Sequence, residues 1–176
     1  MSTEPFLRPI TTDEFRRCFQ LQVSTVTIVT THDGERRAGL TATAVCSLMD
    51  SPPSLLVSLG RGSQSCPMIL SSRRFGVNIL HESQSDTARV FARHAADGDA
   101  GEQKFLEGGD WTEGPDRVPL LDGCLANLVC NVIESTTMKT HTVFFGLVTA
   151  VRFPNEGRPL LYGFRQFCSL AADRAA

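Results

Sequence analysis

Nine consecutive residues carry the most distinctive chemistry of the chain: Gly39-Leu40-Thr41-Ala42-Thr43-Ala44-Val45-Cys46-Ser47. Their side chains are small, so a flat ligand can lie close to the backbone. Exposed N–H and C=O groups can then meet the polar edge of a ring system. The hydroxyls of Thr41, Thr43 and Ser47 add donors. Farther on, Ser63 and Ser65 sit in the glycine-flexed stretch Gly60-Arg61-Gly62-Ser63-Gln64-Ser65. Hydroxyl and amide groups there can cradle a phosphate. The same residues also fit a packed, hydroxyl-rich strand followed by a turn, and residue type alone leaves both open.

Other chemistries are excluded by spacing. Gly60-x-Gly62 begins like a dinucleotide fingerprint, but the third glycine position holds Ser65. Neither a GxxxxGK[ST] loop nor a GxSxG elbow occurs. The four histidines (32, 81, 94, 141) lack HExxH spacing, and the six cysteines (18, 46, 66, 124, 130, 168) lack CxxC or metal-ligand spacing. No side chain is therefore assigned a catalytic role and no metal is expected. An enzyme built this way needs a bound cofactor for its reactivity.

The elements that must position these residues can be read along the chain. Thr11 and Glu14 form a capping box that opens a helix with Phe15, Cys18 and Phe19 on one face. Residues 24–30 are β-branched and predict a strand, with a turn at His32-Asp33-Gly34. A strand is expected over 38–47, broken by Asp50-Ser51-Pro52-Pro53, and another over Ser54–Leu59. A short helix is expected from Pro67 to Ser71 and a strand over Phe75–Leu80. Ser83 to Asp86 predicts a second capping box and helix. Residues 95–103 read as a surface loop. Long strands are expected over Cys124–Ile133 and Thr142–Phe153, and a short one at Leu160–Gly163. Many strands with turn signals and few short helices argue for an antiparallel barrel, a mainly β fold.

Composition sets the class. The chain has 176 residues, 41% hydrophobic and 20% charged, with a net charge of -2. This suits one domain over residues 1–176, its core about 11–170. The charge gives no reason to expect nucleic acid or an anionic membrane as partner. Arg16-Arg17, Arg36-Arg37 and Arg73-Arg74 are too short for a polybasic patch. No apolar run approaches the roughly 20 residues of a membrane helix. The opening residues lack a basic-then-apolar pattern, so reduced thiols and a cytoplasmic location are expected.

Extended through Leu59, the run GLTATAVCSLMDSPPSLLVSL resembles the flavin reductases of two-component flavin-dependent monooxygenases. These include the reductases of 4-hydroxyphenylacetate hydroxylation and of pyrimidine degradation. The resemblance continues at Phe75-x-Val77-Asn78-x-Leu80, Phe91-Ala92, Lys104-Phe105, Pro119-Leu120-x-x-Gly123, Thr140-His141 and Leu160-Leu161-Tyr162. It spans roughly residues 13 to 170. It implies an FMN-binding split barrel, a homodimer, FMN or FAD as cofactor, and NADH or NADPH as co-substrate. A separate oxygenase component is the implied partner. Flavin would lie along Thr41, Ala42, Thr43 and Ala44, with Cys46 and Ser47 near the isoalloxazine edge. Ser58, Leu59, Ser63 and Ser65 would approach the ribityl phosphate. The helix from Phe91 to His94 would close the pocket. His141 would lie by the nicotinamide, with Phe164 and Phe167 near the same cleft.

The chain departs from that pattern at Lys139, where many relatives carry glycine before Thr-His. It departs again at Gly163-Phe164-Arg165-Gln166-Phe167, where relatives are more basic. The expected activity is hydride transfer from NADH or NADPH to FMN or FAD. A flavin-binding protein of the same fold without reductase activity is the alternative. Trp111 and Tyr162 read as packing residues, while Lys104 could cover a phosphate or cap a turn.

Overall fold

The computed structural model describes residues 8–93 and 100–171. Twelve strands and four α-helices lie within that range. They are α1 (Thr12–Gln20), β1 (Ser24–Thr25), β2 (Thr27–His32), β3 (Arg37–Ala42), β4 (Val45–Asp50), β5 (Pro53–Gly60) and α2 (Ser65–Ser72). There follow β6 (Arg74–Ile79), α3 (Ser85–Ala92), α4 (Ala100–Glu107), β7 (Trp111–Glu113) and β8 (Pro119–Leu121). The last four are β9 (Ala126–Thr137), β10 (His141–Arg152), β11 (Leu161–Gly163) and β12 (Gln166–Cys168).

Seven strands form one antiparallel sheet in the order β3-β2-β6-β9-β10-β5-β4. Its two outer strands, β3 and β4, are consecutive in the chain and joined only through Thr43 and Ala44. The sheet thus curls into a barrel that is split where β3 and β4 part. The expected continuous strand over 38–47 is therefore corrected to two strands on opposite edges. The cause is tertiary: β3 pairs with β2 (Thr27 opposite Ala42) while β4 pairs with β5 (Val45 opposite Val57).

A smaller sheet, β1-β11-β12, and the pair β7-β8 flank the barrel. Inside the barrel, Val29, Val57, Leu59, Ile69, Phe75, Cys130 and Phe144 form the main core. Cys130 is pushed up to about 12 by burial. A second core lies against α3 and α4, where Phe91, Phe105 and Trp111 meet with ring centroids 4.8–5.2 Å apart. Gly39 makes this packing possible, because a Cβ there would stand 2.7 Å from the Phe91 ring.

Local signals explain several boundaries. At α1 the capping box forms as expected: Glu14 N–H donates to Thr11 Oγ1 and Thr11 N–H donates to the Glu14 carboxylate. Gly34, at φ 107°, completes the β2–β3 turn while Asp33 accepts the N–H groups of Glu35 and Arg36. The second capping box does not form. α3 begins after Gln84, and Ser83 instead bonds His81 Nδ1 at 2.8 Å. Residues 100–103, expected in a loop, open α4, and Glu102 takes the Arg37 guanidinium. Lys104 is also placed by the fold: its Nζ donates to Arg93 O at 2.6 Å, capping α3. Burial lowers its pKa.

Candidate cofactor cleft at the barrel split

The split between β3 and β4 is the meeting point of three grooves, and Thr43 lines all of them. The largest, about 1170 Å³, runs along β4 past Cys46, Ser47 and Met49 to Val151 and Phe153. The second, about 1040 Å³, lies between α1 and the β11–β12 turn and includes Phe15, Phe19, Ala44 and Phe164. The third, about 560 Å³, lies between α3 and β12 and includes Thr41, Arg89, Arg165 and Phe167.

Why Thr43 is available follows from what its neighbours do. Thr41 Oγ1 donates to Ala88 O at 2.7 Å and ties β3 to α3. Ala42 faces the core, and its carbonyl accepts from Thr27 Oγ1 at 2.8 Å. Ala44 O accepts from Ser58 N–H at 3.0 Å, which anchors the start of β4. Thr43 is held on both sides and exposed. Its amide, carbonyl and hydroxyl have no hydrogen-bond partner among the described residues. A rigid backbone offering uncommitted donors and an acceptor beside apolar walls suits a ligand with a flat ring and a polar edge. Flavin has that form, and the two larger grooves are roomy enough for its tricyclic ring.

The remaining expected residues fall into three groups. Cys46 and Ser47 are exposed on β4 and line the large groove, while Phe164 and Phe167 line the other two. Ser58 and His141 line none of the three grooves and lie on the neighbouring strands β5 and β10. Ser58 stands beside Ala44, and His141 is paired with Gly60 and bonded through Nδ1 to Thr140 Oγ1 at 2.9 Å. Leu59, Ser65 and Phe91 are each 1% exposed and line none of the three grooves. Ser63 Oγ accepts from Cys66 N–H at 3.2 Å and donates to Gly60 O at 2.8 Å, which holds the first turn of α2. His94 lies outside the described residues.

Residues that sequence reasoning missed are Arg89, Arg165 and Tyr162, all facing the third groove. Arg89 and Arg165 carried no local signal, since their convergence depends on α3 packing beside the β11–β12 turn. Tyr162 sits edge-to-face with Phe167 at 5.4 Å and lines the third groove.

Comparison with known proteins agrees with this architecture. A family model described as "Flavin reductase like domain" matches residues 20–171. The chain is 30% identical over 172 residues to the FMN reductase (NADH) RutF of Stutzerimonas stutzeri, covering 98% of this chain and 96% of that protein. It is 35% identical over 153 residues to the 4-hydroxyphenylacetate 3-monooxygenase reductase component of Salmonella typhi, covering 87% and 88%. Among solved structures, the NADH:FAD oxidoreductase SgcE6 of Streptomyces globisporus, in complex with NAD and FAD fragments, superposes with a TM-score of 0.82. That pair is 28% identical, with coverage of 92% of this chain and 94% of that one. With the split barrel and its open corner in place, the chain belongs to the flavin reductase like domain family.

Proposed function

We propose that this chain is a single-domain NAD(P)H:flavin oxidoreductase that delivers reduced flavin to a separate oxygenase, with flavin seated against Thr43 at the barrel split. The observation that carries the seat is Thr43 itself. It is the one residue shared by all three grooves, and its polar atoms are uncommitted among the described residues.

Bound flavin supplies the hydride-accepting centre and the nicotinamide supplies the hydride. The protein's part is to bind, orient and shield. Thr27 and Ser58 fix the backbone on either side of Thr43, so the donors there are preorganised. Met49, Val151 and Phe153 offer exposed apolar surface on which one face of the ring would rest. Holding two rings in contact converts an encounter of two solutes into an oriented complex. That contribution reaches about 7–11 kcal/mol in well-oriented reactions. No side-chain acid or base is assigned.

A homodimer of cytoplasmic location belongs to the same proposal. What supports the dimer is α1, which buries none of its residues and presents Phe15 and Phe19 at 52% and 58% exposure. A second copy covering α1 and the open edge strand β4 would bury both.

The test is NADH and NADPH oxidation by the purified chain, with and without added FMN or FAD. Flavin-dependent turnover is the expected result. Tight flavin binding with no turnover on either nucleotide would favour a flavin-binding protein instead.

A further inference from the structure

Lys104 is a buried cation with no acid paired to it. It is 8% exposed, and no carboxylate bonds it among the described residues. Arg93 and Glu107, at the ends of α3 and α4, pair with each other instead. Burying an unpaired charge is costly, and an apolar chain of similar length would fill the place without that cost. What the ammonium holds is the end of a helix. Its Nζ donates to Arg93 O at 2.6 Å and to Phe91 O at 3.4 Å. Carbonyls at a helix C-terminus lack partners within the helix, and a cation there also meets the negative end of the helix dipole.

The helix so held is linked to the barrel split. Phe91 is gripped from two sides: a Cβ at Gly39 would stand 2.7 Å from its ring, and one at Gly108, just past α4, 2.5 Å. α4 is itself tied to β3, where Glu102 takes the Arg37 guanidinium. From α3 two routes lead to the cleft. Ala88 O accepts from Thr41 Oγ1 at 2.7 Å, two residues before Thr43. Arg89 and Ala92 line the third groove together with Thr41 and Thr43.

We propose that Lys104 is a positioning residue for the cleft: by holding the last carbonyls of α3, its ammonium fixes how α3 stands against β3 at Thr41 and Thr43. The proposal rests on the reading that flavin seats against Thr43. Lys104 lines none of the three grooves, so it acts through α3 and not by contact with a reactant. Without the ammonium, Arg93 O and Phe91 O must turn to water, and the end of α3 moves outward with them. The Thr41 bond then pulls on the backbone that presents Thr43.

The test compares Lys104→Met, Lys104→Arg and Glu107→Gln with the unaltered chain. The Kd for FMN and FAD is measured by flavin fluorescence, kcat at saturating flavin and NADH, and stability by the urea midpoint. The fourth readout is the emission of Trp111. It is the only tryptophan, with ring centroids 5.2 and 4.8 Å from Phe91 and Phe105, so it reports how α3 packs on α4. Lys104→Met should raise the flavin Kd about ten-fold and shift the Trp111 emission, with kcat and the urea midpoint unchanged. Lys104→Arg keeps a cationic donor and should restore tight binding. Glu107→Gln loses only an exposed contact to Arg93 and should bind flavin as the unaltered chain does. Should Lys104→Met fail to fold, Lys104→Gln takes its place with the same expectations. An unchanged flavin Kd beside a shifted Trp111 emission would overturn the proposal, because the end of α3 then moves without reaching the cleft. A raised Kd accompanied by a lowered urea midpoint would also overturn it and leave Lys104 a helix cap alone. If the unaltered chain binds neither FMN nor FAD, the reading of the cleft falls and this proposal with it. An unchanged Kd in Lys104→Met fells the proposal alone.

Discussion

Two polar regions of this barrel stand in opposite states. At one end of the sheet, Asn78 and Asn127 are 0% and 1% exposed and fully engaged. Asn78 Nδ2 donates to Ile28 O at 2.9 Å, and its Oδ1 accepts from Leu121 N–H at 2.9 Å and from Asn127 Nδ2 at 2.7 Å. Asn127 Oδ1 in turn accepts from Arg152 Nε at 2.8 Å, and Arg152 reaches Asp122. At the barrel split, Thr43 offers the same kinds of atoms with no partner among the described residues. Buried polar groups without partners are expensive, so the first region is closed by its own chain and holds β8 onto the sheet. The second is exposed and can wait for a ligand. Polarity alone does not mark a functional site, whereas polarity left uncommitted on a braced backbone does.

The sharpest way to break this contrast is to attack the closed network. Asn78→Leu leaves the Leu121 N–H and the Ile28 carbonyl without their partner, and should lower stability by about 3–5 kcal/mol. Urea unfolding followed by circular dichroism measures it. A loss under about 1 kcal/mol would mean that the network is ornamental to the fold.

The open region should respond in the opposite way. Thr43→Trp fills the corner but removes no bond, so stability should change by less than about 0.5 kcal/mol. Flavin affinity should fall by about 100-fold, some 2.7 kcal/mol. Retained affinity would remove the ligand from this corner.

The smallest effect concerns proton linkage in the barrel core. Burial raises the Cys130 thiol to about 12, above its ordinary value of 9.0, and Cys124 to about 11. The folded state therefore holds protons that the unfolded state releases. The stabilisation is complete below about pH 9 and is lost as pH rises through the folded values. Cys130→Ala should flatten the fall in unfolding midpoint between pH 9 and 11, whatever it does to stability at pH 7. An unchanged slope would place the alkaline sensitivity elsewhere.

Much of the scaffold could be read from local signals. The Thr11–Glu14 box, the Asp33-Gly34 turn and the β-branched run of β2 each act within a few residues, so the sequence shows them directly. The Ser83–Asp86 signature failed because His81 captures the serine hydroxyl, a competition between two nearby partners. The helix at Ala100–Glu107 was hidden because an Ala/Gly/Asp-rich stretch resembles a loop until Arg37 pairs with Glu102 and Lys104 caps α3.

The site divides along the same line. Composition and order alone determined an antiparallel β fold and a small hydroxylated run able to face a flat ligand. Which hydroxyl of that run is free was decided only by tertiary structure. Thr41 and Thr43 are two residues apart and chemically alike, yet one is held by Ala88 of a helix and the other stands alone at the parting of two strands. The convergence of Arg89 with Arg165 arises in the same way. A residue's type states which bonds it can make, and the packing of distant segments decides which of them are already made.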